Sequence, residues 1–146
     1  MKAITLWQPW ASFIAIGVKP YEIRDWKPPR WLIGKRIAIH AAKKRVATDE
    51  VKWAAGWGAT DLPLGAVVCT AILSGAYQCG AVISRVPPAV RIVDEVIGSA
   101  PADYVIVDDL GDYSERRWAW HLTDIEPLIP AKPASGSQGF WNWEQT

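Results

Sequence analysis

Apolar and polar positions change their period several times along this chain, and each change marks an element. Residues 3–7 alternate as a short strand does. Trp10, Phe13, Ile14 and Gly17 then follow the i, i+3, i+4, i+7 spacing of a helix face, which Pro9 can open and Gly17 can close in a left-handed conformation. Period two returns over 21–26, placing Tyr21, Ile23 and Asp25 on one face and Glu22, Arg24 and Trp26 on the other. Lys27-Pro28-Pro29-Arg30 reads as a loop. Residues 34–41 read as a strand, with Ile37 and Ile39 inward and Arg36, Ala38 and His40 outward. Thr48 is a plausible N-cap for a helix that carries Asp49 and Glu50 in its first turn and stops at Gly56/Gly58.

Beyond it, 64–78 is a long β-rich run with a bend at Gly75. The pattern of 84–103 leaves its type open, because two proline clusters flank a Val/Ile/Asp/Glu stretch. Residues 104–108 read as a strand, followed by a turn at Gly111. In a strand over 117–123, Trp118, Trp120 and Leu122 face one way and Arg117, Ala119 and His121 the other. Residues 130–136 read as a Pro/Ser/Gly loop and 139–143 as a closing strand. The sum is six or seven short strands and two helices: a mixed α+β chain, β-dominated, best fitted by a small, partly closed antiparallel barrel.

The length of 146 residues suits one domain, and half the residues are apolar, enough for a core. Net charge is +1, which argues against coating nucleic acid by charge alone but leaves room for a local basic patch. Cys69 and Cys79 form no C-x-x-C, and the two histidines stand at no metal spacing, so reduced thiols, no metal and no cofactor are expected. No signal peptide or membrane-length apolar run is visible, so the expectation is a cytoplasmic protein. Ten tryptophans in so short a chain are costly to bury without N–H partners, so several are expected half-exposed beside a cleft.

The chemistry concentrates between Trp7 and Trp26. Gln8 and Trp10 stand where a helix begins, and free backbone N–H groups there suit a phosphate or carbonyl; alternatively Gln8 only caps its own helix. Glu22 and Arg24 share a strand face just after Lys19. In a dry cleft a lysine beside a glutamate does acid–base or nucleophilic work; on a wet strand edge the same residues are an ion-pair cluster of little value. His40, Lys43, Lys44 and Arg45 make a basic loop suited to phosphate, or a solvated turn. Gln138, in Ser135-Gly136-Ser137-Gln138-Gly139, can read a base edge or sit in a plain hairpin loop. Asp108, Asp109 and Asp112 lack the spacing of a calcium loop and read as solvated. No Ser/His/Asp triad motif, H-E-x-x-H or G-x-S-x-G is present.

Six segments in order resemble the ASCH (activating signal cointegrator homology) domain, a branch of the PUA-like barrels. They are Trp7-Gln8-Pro9-Trp10-Ala11, Gly17-x-Lys19-x-x-Glu22-x-Arg24-x-Trp26, Gly34-Lys35-Arg36 leading to His40-Ala41-Ala42-Lys43-Lys44, Gly65-Ala66-Val67-Val68, Trp118-Ala119-Trp120, and Gln138-Gly139-x-Trp141. The resemblance runs from Ile4 to about Trp143 and makes the chain a single domain, 1–146, with 80–113 as a variable insertion. It implies RNA or nucleotide binding in a cleft floored by Lys19, Glu22 and Arg24. Gln8, Trp10 and Ser12 would come from the first helix, Lys43 from the basic loop and Gln138 from the closing loop. A base would stack on Trp10 or Trp26. Some members are similar to amidohydrolases acting on a modified cytidine, where the lysine works with a threonine three residues on and a glutamate of the central strand. Here Glu22 holds the threonine's place, and no acid occurs between Gly65 and Ser84. Others resemble ribonucleases. Two further classes therefore stay open: a hydrolase of modified nucleosides or RNA using Lys19, Glu22 and Arg24, and a protein-interaction module using exposed tryptophans.

Overall fold

The computed structural model describes residues 1–85, 87–98 and 104–145, with 91–98 and 104–106 described by their backbone alone. In chain order the elements are β1 (Lys2–Leu6), α1 (Trp10–Ala15), β2 (Tyr21–Arg24), β3 (Arg36–Ala41), α2 (Thr48–Gly56), β4 (Ala66–Arg85), β5 (Pro88–Gly98), β6 (Tyr104–Ile106), β7 (Trp118–Pro133) and β8 (Phe140–Asn142). The chain is thus α+β and strand-dominated, with eight strands among the described residues where the pattern predicted six or seven. The added strand is β5, in the stretch whose prolines hid its type. Val86 and 99–103, part of the segment expected to be variable, lie outside the described residues. The paired path β2-β7-β4-β3-β1-β8 is open, with β5 and β6 branching from β4, so the pairing does not close into the expected barrel.

The chain divides into two compact units. The first comprises 1–18, 36–71 and 124–146. Its centre is the parallel pair β1–β3, aligned from Ala3↔Ala38 to Leu6↔Ala41, with β8 antiparallel on β1. Ala3, Ala38, Val67 and Trp143 pack together beneath Leu128, Ala134 and Trp141. Ala38 and His40, expected outward, are both buried. β3 lies between two strand neighbours and has packing on both faces, so its alternation does not separate core from solvent. On α1, Phe13 and Ile14 are buried as their spacing requires, and Gly17 takes the left-handed φ of +84°. Thr48 is the first helical residue of α2 rather than its cap; Ala47 holds the cap position without a side-chain bond, while Asp49 and Glu50 do occupy the first turn.

The second unit comprises 19–35 and 72–123. β2 pairs antiparallel with the start of β7, from Tyr21↔His121 to Arg24↔Trp118. The predicted division of β2 holds: Tyr21 and Ile23 enter an apolar cluster with Tyr77, Cys79, Val90, Val107, Tyr113 and Ala119. β4 and β5 form an antiparallel pair whose register shifts three times between Tyr77 and Ser84. β7 itself continues to Pro133, through part of the stretch expected to be a loop. Its prolines are tolerated there because a residue without an N–H costs a strand little where no ladder bond is required of it.

Phe13 is fully buried and meets Trp10 and Trp53 edge-on. Phe13→Ala should therefore cost about 3–5 kcal/mol, read as a lower urea midpoint with an unchanged slope.

Candidate functional site

Cross-strand partners share a face, so the β2–β7 register sets Glu22 beside Trp120 and Arg24 beside Trp118. Trp120 is fully buried and its indole N–H donates to the Trp26 carbonyl at 3.2 Å. Trp26 stands edge-on to it, ring centroids 4.9 Å apart, and is 40% exposed. One strand face thus carries a carboxylate and a guanidinium over an indole floor, with a second, accessible indole at its edge.

Glu22 is buried. Oε1 accepts the Ile23 N–H at 3.1 Å and lies 3.6 Å from Arg24 Nε, while Oε2 has no hydrogen-bond partner among the described residues. Burial pushes its carboxyl above the usual range, opposed by Lys19, Arg24, the Ile23 N–H and Arg117. Lys19 is buried too, with its ammonium on the Tyr21 carbonyl. Burial pushes it down, opposed by Glu22 and Asp108 and assisted by Arg24. Desolvation therefore drives both members of the pair toward their neutral forms. Such a pair can pass a proton between its members, and Oε2 can meet a donor brought by a ligand.

Two contributors escaped the sequence pattern. Arg117 reaches Asp25 at 2.9 Å and Asp112 at 3.9 Å, and its charge acts on Glu22. Asp108, expected to be a solvated carboxylate, builds its loop. It accepts the N–H groups of Leu110 (2.8 Å) and Gly111 (2.9 Å) and the Tyr113 hydroxyl, and its charge acts on Lys19. The Asp-x-x-Gly spacing of 108–111 is an Asx-turn signal for the first role; the second needs the fold.

The remaining candidates lie in the first unit. Gln8 is buried: its amide donates to Ser12 Oγ (2.8 Å) and the Pro63 carbonyl (2.9 Å), and Oε1 accepts the Ser12 N–H (3.0 Å). Ser12 Oγ donates to the Asp61 carbonyl at 3.2 Å. The pair caps α1 and ties it to the 61–63 loop. Trp10 packs edge-on against Trp53 and Phe13. Lys43 is exposed, its stem across Gly65, where a Cβ would stand 2.9 Å from Lys43 Cγ. Gln138 is exposed.

His40 is the middle of a chain of bonds. Trp141 Nε1 donates to Thr5 Oγ1 (3.0 Å), Thr5 Oγ1 meets His40 Nδ1 (3.2 Å), and His40 Nε2 meets the Ala134 carbonyl (2.8 Å). A carbonyl only accepts, so Nε2 carries the proton on the Ala134 bond, and in the neutral ring Nδ1 then accepts from the Thr5 hydroxyl. The neutral ring satisfies every bond, and burial lowers its pKa from 6.5.

The family model of the ASCH domain matches residues 4–129. The chain belongs to the ASCH domain family. Among curated proteins, none matches it. The match takes in every candidate of this ASCH domain except Gln138, which follows its last residue. No helix among the described residues is long and apolar enough to cross a membrane.

A histidine held below its unfolded value leaves the unfolded chain to bind protons first as pH falls through 6.5, so stability should be lost on acidification. His40→Gln, whose amide can serve the same two partners, should flatten this loss between pH 7.5 and 5.5 in urea titrations. His121, also lowered by burial, should leave a residual slope.

Proposed function

We propose that this ASCH domain, acting as one domain of which 80–113 is the variable part, binds RNA or a free nucleotide through the β2–β7 face. A base stacks on Trp26, Glu22 accepts from its edge, and Arg24 meets a phosphate. The observation that carries this is the buried Glu22 carboxyl, one oxygen of which has no hydrogen-bond partner among the described residues, set beside the Arg24 guanidinium and an accessible indole. Such a group is expensive unless something completes it. Because Oε2 accepts, the reading favours bases with an exocyclic amino group, and uridine should bind more weakly than cytidine or adenosine. Separately, within the first unit, Lys43 and Gln138 are proposed as exposed polar contacts, Lys43 for a phosphate and Gln138 for a base edge. Gln8, Ser12 and His40 hold the first unit's framework, and Trp10 belongs to its aromatic packing.

A second reading has its own observation. A buried lysine pushed toward its neutral amine beside a carboxyl is the pairing a hydrolase of modified nucleosides or RNA would use. On an acylated nucleoside, Lys19 as base would take a proton from the water that adds to the acyl carbonyl, the acyl C–N bond would break, and Glu22 would give a proton to the departing amine; as nucleophile, the Lys19 amine would add to that carbonyl in place of water and release the same amine.

Quenching of Trp26 fluorescence by cytidine should follow a saturable curve. Glu22→Gln, which places an amide donor and a single acceptor where a carboxyl stood, should weaken it by about tenfold to a hundredfold, the worth of one good polar base contact. Mass spectrometry of acylated nucleosides and short RNAs incubated with the protein separates the readings. Products lost in Lys19→Met favour the enzyme, and quenching without products favours the binder. An unchanged cytidine affinity in Glu22→Gln would sink the first reading.

A further inference from the structure

Parallel strands leave a sheet at the same end. β1 and β3 are parallel and aligned at Leu6↔Ala41, and the Ala42 N–H continues the ladder to the Leu6 carbonyl at 2.8 Å. The residues that follow on both strands are therefore delivered side by side. From β1 comes Trp7, 58% exposed; from β3 come Lys43, Lys44 and Arg45, all exposed. The Lys44 ammonium lies over the Trp7 ring, 3.3 Å from its centroid. None of the three cations has an acidic partner among the described residues. In a chain whose net charge is only +1, three consecutive exposed cations, one of them seated on an exposed indole, are a local concentration of charge.

We propose that Trp7, Lys44 and Arg45 form a contact for single-stranded RNA in addition to the Glu22 face; the inference rests on the RNA-binding reading of this domain. An exposed ammonium–indole pair is weakly held and exchanges readily. On binding, the Lys44 ammonium swings from the ring to a phosphate oxygen, Arg45 takes a neighbouring phosphate, and a base occupies the freed indole face. An acidic peptide would satisfy the cations but leave the indole without a partner, whereas a nucleotide supplies both an anion and a π-face. A duplex is excluded because the indole needs an unstacked base. Every base has a π-face, so this contact is indifferent to sequence, unlike the amino-selective Glu22 face.

The test uses the full chain and fluorescein-labelled decauridylate, whose bases lack the amino group that Glu22 reads. Anisotropy should give an affinity that falls about tenfold in Trp7→Ala and in Lys44→Ala, with Trp7→Phe between Trp7→Ala and the parent. Lys44→Ala should also reduce the slope of log K against log salt by about 0.7, the loss of one phosphate contact on a single strand. Cytidine binding should be unchanged in all three variants. Decauridylate affinity equal across the series, or none in the parent, overturns the inference. So does an affinity for polyglutamate or phosphatidylserine vesicles that exceeds that for decauridylate and falls in the same variants. Cytidine failing to bind while the decauridylate losses persist would overturn the Glu22 reading and leave this contact standing.

Discussion

One constraint sets the character of the β2–β7 face: a carboxyl, an ammonium and a guanidinium share one neighbourhood, with the first two buried. Removing such groups from water costs several kcal/mol each, and their mutual attraction returns that only when every lone pair and proton is matched. Here the matching is incomplete. Glu22 Oε2 has no hydrogen-bond partner among the described residues, while the Lys19 ammonium has a carbonyl. As a stabilising device this is poor design, since apolar residues in the same place would hold β2 to β7 at lower cost. As a recognition device it is economical, because a ligand donor arriving at Oε2 gains a partner already stripped of water. Perturbed titration at such a cluster is what functional sites display more often than structural ones do.

The polar residues of the first unit make the contrast. Gln8 uses both amide hydrogens and its oxygen, Ser12 donates and accepts, and both His40 ring nitrogens are occupied. These groups lock α1, the 61–63 loop and the 134–141 stretch to their neighbours, and their burial is offset bond by bond. Burial alone therefore does not distinguish a binding residue from a framework residue in this chain; the satisfaction of its hydrogen bonds does. By that criterion Glu22 stands apart from Gln8 and His40, although all three are buried to a similar extent and share the same family pattern.

The sequence reveals these features unevenly, for physical reasons. The two faces of β2 are legible because Tyr21 and Ile23 alternate with Glu22 and Arg24 and pack on a single cluster, although the strand ends at Arg24, before Asp25 and Trp26. The helix α1 is legible because Phe13 and Ile14 recur at helical spacing and Gly17 supplies the positive φ. β3 misleads because both of its faces are covered, so Ala38 and His40 are buried where alternation puts them in solvent. β5 is hidden because the prolines at and around its ends read as breakers, and β7 runs on from Pro130 to Pro133 where a loop was expected. The Lys19-x-x-Glu22-x-Arg24 core of the candidate site is local and readable. Its indole floor, Arg117 and Asp108 enter only through strand register and loop geometry, which no spacing encodes. The His40 chain is invisible in the sequence for the same reason: Thr5, Ala134 and Trp141 meet it only in the folded state.

The most direct test of the central claim is a carbon-13 titration of the Glu22 carboxyl by NMR, without and with saturating cytidine. An apparent pKa above 4.5 in the free protein, changing when the nucleoside binds, is the predicted result. A Glu22 that titrates at 4.5 in the free protein and does not respond to cytidine would contradict the account, leaving the β2–β7 face an ordinary ion-pair cluster.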